Sequence, residues 1–179
     1  MLISQSAQRA AIQIFSCSNT YLGMYRPPRL QEIYLECPLY FVTTNVHERQ
    51  TLLCSNEVHQ SLLEEWLTTS KKYSWHIGPY VVMPDHIHMI CWPLYNSKAA
   101  LAKFIGKWKE YSSKRLGPGT SPLWQEGFFD RLLRDDAERE DRERYMDNNP
   151  YTANLVEMPT VWPFKGVIND YPFNTNNHS

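Results

Sequence analysis

The sequence predicts an α+β fold, with a four-stranded antiparallel sheet, two helices on one face and an additional tyrosine-bearing helix. Three observations lead there. Segments rich in aromatic and β-branched residues alternate with segments whose apolar residues recur at helical spacing. Turn-forming residues separate them. The last helical segment is too polar to share their core.

PLYFVTTNVH, residues 38 to 47, has strand composition. Residues 55 to 70 read as a helix, with Val58, Leu62, Leu63, Trp66 and Leu67 on one stripe and Ser55 or Asn56 as cap. Residues 76 to 83 and 86 to 92 read as a hairpin, with Pro84 and Asp85 at the turn. A second helix spans 97 to 115, its inner face marked by Leu101, Phe104, Ile105, Trp108 and Tyr111. A strand follows at 128 to 134. The third helix starts near Asp136, where Asp135 and Glu138 have capping-box spacing. Pro150 should end it near Asn149. Its only apolar or aromatic positions are Ala137, Tyr145 and Met146, so it should be loosely held. The first six elements follow the ferredoxin-like split βαβ order. Residues 1 to 36, with prolines at 27 and 28, read as an arm outside a domain at 37 to 165. Residues 166 to 179 read as a tail, and the aromatics from residue 156 onward as packing back on the domain.

With 179 residues and 42% hydrophobic content, the chain suits one domain with a real core. No run approaches a membrane span, and the first residues do not resemble a secretory signal. Cys17, Cys37, Cys54 and Cys91 form no CxxC pair, which argues against a thiolate metal knuckle and for reduced thiols in the cytoplasm. A net charge of -1 is low for a nucleic-acid binder, but distribution matters more. Lys98, Lys103, Lys107, Lys109, Lys114 and Arg115 cluster on the second helix. The third carries mostly acids, interleaved with Arg139, Arg142 and Arg144.

VVMPDHIHMI holds the sharpest motif. In a strand, His86 and His88 point to one face, about 7 Å apart, while Ile87 and Met89 point to the other. Two imidazoles so placed can converge on a cation, or can simply be polar residues on a half-exposed face. Spacing alone does not decide.

Three motifs in order resemble the IS200-like transposases, most of all their REP-associated tyrosine transposase relatives. They are VVMPDHIHMI, then WQEGFFD, then YMDNNPYTANLV, within residues 38 to 165. Asp85 stands where asparagine is usual, and Ala153-Asn154-Leu155 replaces the commoner Ala-Gly-Leu. The resemblance implies an HUH endonuclease that cuts single-stranded DNA beside hairpins using Mg²⁺ or Mn²⁺. It implies that His86, His88 and Asn149 hold the metal and that Tyr145 is the nucleophile, leaving a 5′-phosphotyrosine. Tyr145 and Asn149, four apart on one helix, would share a face.

DNA contacts would come from Lys103, Lys107, Lys109, Lys114, Arg115 and Arg142, with Trp124 and Phe128 as stacking or core residues. Tyr111 is the rival nucleophile but shares the apolar stripe of its helix. His47 could approach the site, whereas His59 and His76 read as surface residues. The alternatives are a hairpin-binding module with little or no cleavage, and a structural zinc protein that lacks an evident thiolate set. A homodimer that exchanges the tyrosine helix is as compatible with the sequence as a monomer.

Overall fold

The computed structural model describes residues 37–95, 97, 99–117 and 122–172. The proposed arm at 1–36, Lys98 and the last residues of the tail lie outside them. Five strands form one antiparallel sheet in the order β4-β1-β3-β2-β5. They are β1 (Leu39–Asn45), β2 (Trp75–Val82), β3 (His86–Pro93), β4 (Phe129–Leu133) and β5 (Lys165–Val167). The helices are α1 (Asn56–Tyr73), α2 (Leu101–Leu116) and α3 (Asp136–Thr152). The first four strands and all three helices match the expected elements. β5 is an addition, and it crosses the boundary drawn at residue 165.

Alternation along the strands sorts the core into two layers. Val42, Ile87, Met89 and Cys91 face α1 and α2, where they meet Leu62, Trp66, Phe104 and Trp108. Trp66 and Trp108 stack at 5.2 Å between ring centroids and join the two helices. On the other face, Leu39, Phe41, Ile90 and Trp92 meet Met146 of α3 and Trp162 of the downstream segment. Ile77 and Tyr80 are three apart yet both face the first layer. A β-bulge between them inserts the extra residue that makes this possible.

The β2–β3 turn is pinned from outside. Val46 N–H donates to the Asp85 carbonyl at 2.8 Å and Leu53 N–H to the Pro84 carbonyl at 3.0 Å. The turn therefore has little freedom to reposition the histidines that follow it.

The boundaries of α3 depart from expectation at one end. Asp135 caps its start, accepting from Glu138 N–H at 2.8 Å. At the other end the helix passes Pro150 and runs to Thr152. Proline forfeits one helical hydrogen bond, but here the loss falls in the last turn and the ring is buried. A Schellman-type closure compensates: Asn154 N–H donates to Tyr151 O and Leu155 N–H to Pro150 O, each at 2.9 Å. This needs a left-handed residue, and Asn154 adopts φ 56. Asparagine tolerates that region better than most residues, so it can serve where the resembled motif has glycine.

Nor is α3 loosely held. Met146 and Pro150 are buried, and the chain beyond the helix returns to clamp it. Trp162 Nε1 donates to Val82 O at 3.0 Å, Lys165 pairs with Asp147 at 2.8 Å, and Tyr171 donates to Glu143 at 2.6 Å. The Arg139 guanidinium lies over the Tyr171 ring. Tyr171 in turn packs on Trp92. The expectation that tail aromatics pack back holds to that point.

Two glycines test the packing in opposite directions. A Cβ on Gly78 would sit 2.8 Å from Trp92 Cζ3, a buried ring that cannot yield. Gly78→Ala should destabilise by about 1–3 kcal/mol in urea unfolding. Gly106, inside α2, has open space around its Cβ position. Gly106→Ala should stabilise by about 0.5–1 kcal/mol in the same measurement.

Candidate active site

His86 and His88 share the sheet face covered by α3, with ring centroids 4.8 Å apart and nearly perpendicular. Each ring is held through Nδ1. His86 Nδ1–H donates to Asp85 Oδ1 at 2.6 Å. The other oxygen of that carboxylate pairs with Arg49 Nε at 2.8 Å, and Arg49 also donates to Asn45 Oδ1 at 2.6 Å. His88 Nδ1 shares a 2.7 Å hydrogen bond with Thr43 Oγ1, its cross-strand partner on β1. Phe41 stacks on the His88 ring at 5.2 Å.

This arrangement leaves the Nε2 atoms for other work. A hydrogen bond on one imidazole nitrogen sets the tautomer and aims the other nitrogen, which is how metal-binding histidines are commonly prepared. His88 Nε2 is buried and has no hydrogen-bond partner. An orphaned buried polar atom is costly, and beside a second imidazole a shared ligand would satisfy it.

Above the pair lies α3. The Tyr145 ring meets His88 edge-on at 5.2 Å and Phe41 at 6.2 Å, while 47% of the residue stays exposed. Asn149, one turn further on the same face, buries its amide nitrogen without a partner. Turning the Asn149 amide by half a rotation presents its oxygen at this buried position. Two imidazoles and an amide oxygen are compatible with Mn²⁺, and the oxygen also suits Mg²⁺. Among the described residues no cluster of three or more His, Cys, Asp or Glu could hold a metal by itself. Asp85 is committed to His86 and Arg49.

The basic residues divide between the two faces. Arg142 reaches the site from α3, its guanidinium 5.6 Å from the Phe41 ring centroid. Lys103, Lys107, Lys109, Lys114 and Arg115 are on α2, behind the sheet, and the structure does not bring them to Tyr145. Most are engaged there. Lys107 and Lys114 both pair with Glu110, at 2.7 and 2.6 Å. Arg115 pairs with Glu64 and Glu65 at 2.6 and 2.7 Å. Lys109 donates to the carbonyls of Gln125 and Gly127. Lys103 remains exposed and is in no ion pair among the described residues.

The acids of α3 are largely neutralised. Asp136 and Glu143 pair with Arg139, Glu140 and Asp141 with Arg144, and Asp147 with Lys165. The repulsion of DNA that their number suggests is thereby reduced.

The other candidates divide between core and surface positions. Trp124 is buried beside Trp108 and donates to Ser112 Oγ at 2.9 Å, so it is a core residue. Phe128 packs on the same layer. Tyr111, expected on the inner face of its helix, is only partly buried, and its hydroxyl meets Lys72 and Tyr73. His47 lies beyond β1, in the short turn His47–Arg49, with its ring 3.8 Å from Glu48. His59 and His76 are not surface residues: each is half-buried, against Tyr80 and Trp92 respectively, and burial lowers both pKa values.

Thr43, Arg49 and Phe41 were not anticipated. Thr43 and Phe41 act through strand register, which leaves no local signature. Arg49 and Glu48 adopt left-handed backbone, φ 57 and 52, in a tight turn. Ion pairing of Arg49 to Asp85 can sustain that strain, which is typical of functional sites.

Burial pushes His88 down to about 3, helped by the neighbouring His86, Arg49 and Arg142. Burial also lowers His86, partly offset by Asp85. The unfolded His88 takes up a proton near 6.5 and the folded one resists until about 3. Stability is thus fully present above pH 6.5 and falls as pH drops through that window. Urea unfolding at pH 7 and pH 5 should show this loss. His88→Gln should make the slope shallower.

Comparisons with known proteins identify the family of the chain. The family model described as "Transposase IS200 like" matches residues 37–149, well over half the chain. A REP-associated tyrosine transposase of Escherichia coli (strain K12) is 24% identical over 138 residues, which cover 76% of this chain and 81% of the relative. A solved REP-associated tyrosine transposase bound to a REP hairpin superposes with a TM-score of 0.63 at 22% identity, covering 72% of this chain and 75% of that one. At this identity the superposition speaks for the fold. The family match places the chain plainly: it belongs to the IS200-like transposases, DNA-cleaving enzymes of the HUH type.

Proposed function

We propose that this protein cuts and rejoins single-stranded DNA beside a hairpin, with Tyr145 as nucleophile and a divalent metal held by His86, His88 and Asn149. One observation carries the reading: the half-exposed Tyr145 ring packs edge-on to His88, whose buried Nε2 has no partner. A nucleophile, an imidazole lone pair and an amide share one face of the sheet, open to solvent on the tyrosine side.

With its proton on Nδ1, His88 donates to Thr43 and turns a lone pair on Nε2 toward the site. His86 does the same with Asp85 as acceptor. Mg²⁺ or Mn²⁺ held there would supply Lewis-acid stabilisation of charge on the scissile phosphate. Tyr145 Oη attacks phosphorus, a new Tyr O–P bond forms, and the P–O3′ bond breaks. The phenolic proton is lost and the departing 3′ oxygen takes one up. The product is a 5′-phosphotyrosine and a free 3′-OH, which conserves the bond for rejoining. Arg142, beside Tyr145 and Phe41, is placed to meet a phosphate oxygen. The α2 cations would meet only a DNA arm that reaches the other face.

α3 reaches the histidines of its own chain, and its downstream segment fastens it there. This supports a site completed within one subunit. The solved relative was captured with a REP hairpin, and a hairpin with a single-stranded flank is the substrate class to try first.

The experiment uses a labelled hairpin with single-stranded flanks and Mn²⁺ or Mg²⁺. Wild type should form a covalent adduct that survives denaturation. Tyr145→Phe should bind the DNA but form none. His88→Ala should lose both the adduct and the Mn²⁺ bound by the wild type. Adduct formation by Tyr145→Phe, or none by wild type on any single-stranded substrate, overturns the reading. Hairpin binding without wild-type adduct would favour a binding module instead.

A further inference from the structure

The pairing registers place one row of residues across the whole sheet: Phe129, Thr43, His88, Val81 and Lys165. Directly paired residues share a face. Phe129 therefore stands on the His88 side, separated from it only by Thr43, the residue that holds the His88 ring. Two strand spacings put it about 10 Å from His88.

Phe129 is 61% exposed, although it lies in a strand next to a buried cluster. It sits on β4, an edge strand, where a large bare aromatic is a liability unless something covers it. Its neighbour Phe128 points into the core, so the core does not require a second aromatic here.

The adjacent row supplies the charge. Arg131 pairs in register with Phe41, and Arg142 lies over the Phe41 ring. Arg131 is exposed and held by Glu138 at 3.0 Å. Arg142 makes no ion pair among the described residues. Cations thus border the path from Tyr145 to Phe129. Asp130 lies between Phe129 and Arg131 in sequence, but it pairs with Val42 and belongs to the opposite face.

We propose that Phe129 is a stacking platform for an unpaired nucleobase of the substrate strand, holding the strand as it leaves the His88–Tyr145 site over the β4 edge. This rests on the single-strand DNA reading of that site. Aromatic rings bind unpaired bases by their faces with little regard to sequence. The bordering arginines suit the phosphates of the same strand. A single-stranded segment fits better than a duplex, whose bases are already stacked. Phe129 is a binding and positioning residue, standing two strands and about 10 Å from His88.

Anisotropy binding of a labelled hairpin with single-stranded flanks tests this, with one abasic site moved along the flanks. Phe129→Ala should weaken binding by about five- to a hundredfold. Phe129→Trp should restore it, and Phe129→Leu should not. An abasic site at one position should weaken wild type to a similar extent and add nothing further in Phe129→Ala. Unchanged thermal unfolding of the exposed-site variants shows that the fold is intact. Equal binding by wild type and Phe129→Ala overturns the platform, as does equal sensitivity to abasic sites at every position. Rescue by leucine also overturns it, because apolar contact would then suffice. Adduct formation, read in the same samples, keeps the claims apart. A wild type that forms adducts while Phe129→Ala binds equally well removes only the platform. A wild type that binds no single-stranded DNA removes the platform and the reading of the site.

Discussion

The register of β3 against β1 sets His88 opposite Thr43, and the rest of the site depends on it. That pairing supplies the hydrogen bond that holds His88 through Nδ1 and leaves Nε2 unpartnered. It also brings Phe41 beneath the ring. A slip of one residue would turn both histidines toward α1 and α2, and Ile87 and Met89 toward α3. The buried layer of tryptophans behind the sheet forbids such a slip. The polar face is therefore held by the apolar one: the energy of packing Ile87, Met89 and Cys91 against Trp66, Phe104 and Trp108 keeps two imidazoles pointing the other way.

α3 shows the complementary strategy. A helix with so few apolar residues gains little from burial, yet it carries Tyr145 and Asn149. Its position comes from a few buried contacts at Met146 and Pro150 and from a return segment that reaches over it. Lys165 and Tyr171 bind its acids, while Trp162 fills the space between it and the sheet. The helix can then remain polar and half-open on the side a DNA strand would approach. Cap and closure at its two ends, Asp135 and Asn154, limit its length without adding apolar surface.

Charge is partitioned by the sheet. Behind it, α2 forms a network with its own Glu110 and with α1, so its lysines largely balance local acids. In front of it, the arginines and acids of α3 offset one another, and Arg142 is left facing the site. A near-zero net charge is thus compatible with a local cationic border.

The sequence by itself determined the strand and helix order, the shared face of His86 and His88, and the presence of Tyr145 and Asn149 on one helix. These follow from periodicity and from motifs read within short windows, where local geometry dominates. Asp135 as a cap was legible for the same reason. The fifth strand was not, because a three-residue edge strand has too little pattern to announce itself. The helix passing through Pro150 was missed because the propensity rule omits the closure that offsets the lost hydrogen bond. Only tertiary structure could decide that the α2 lysines lie behind the sheet, that Trp124 is core, and that Thr43, Arg49 and Phe129 join the site's surroundings. Such relations depend on which strands pair and in which register. Pairing is settled by burial summed over both faces of the sheet, a quantity that no single stretch of the chain contains.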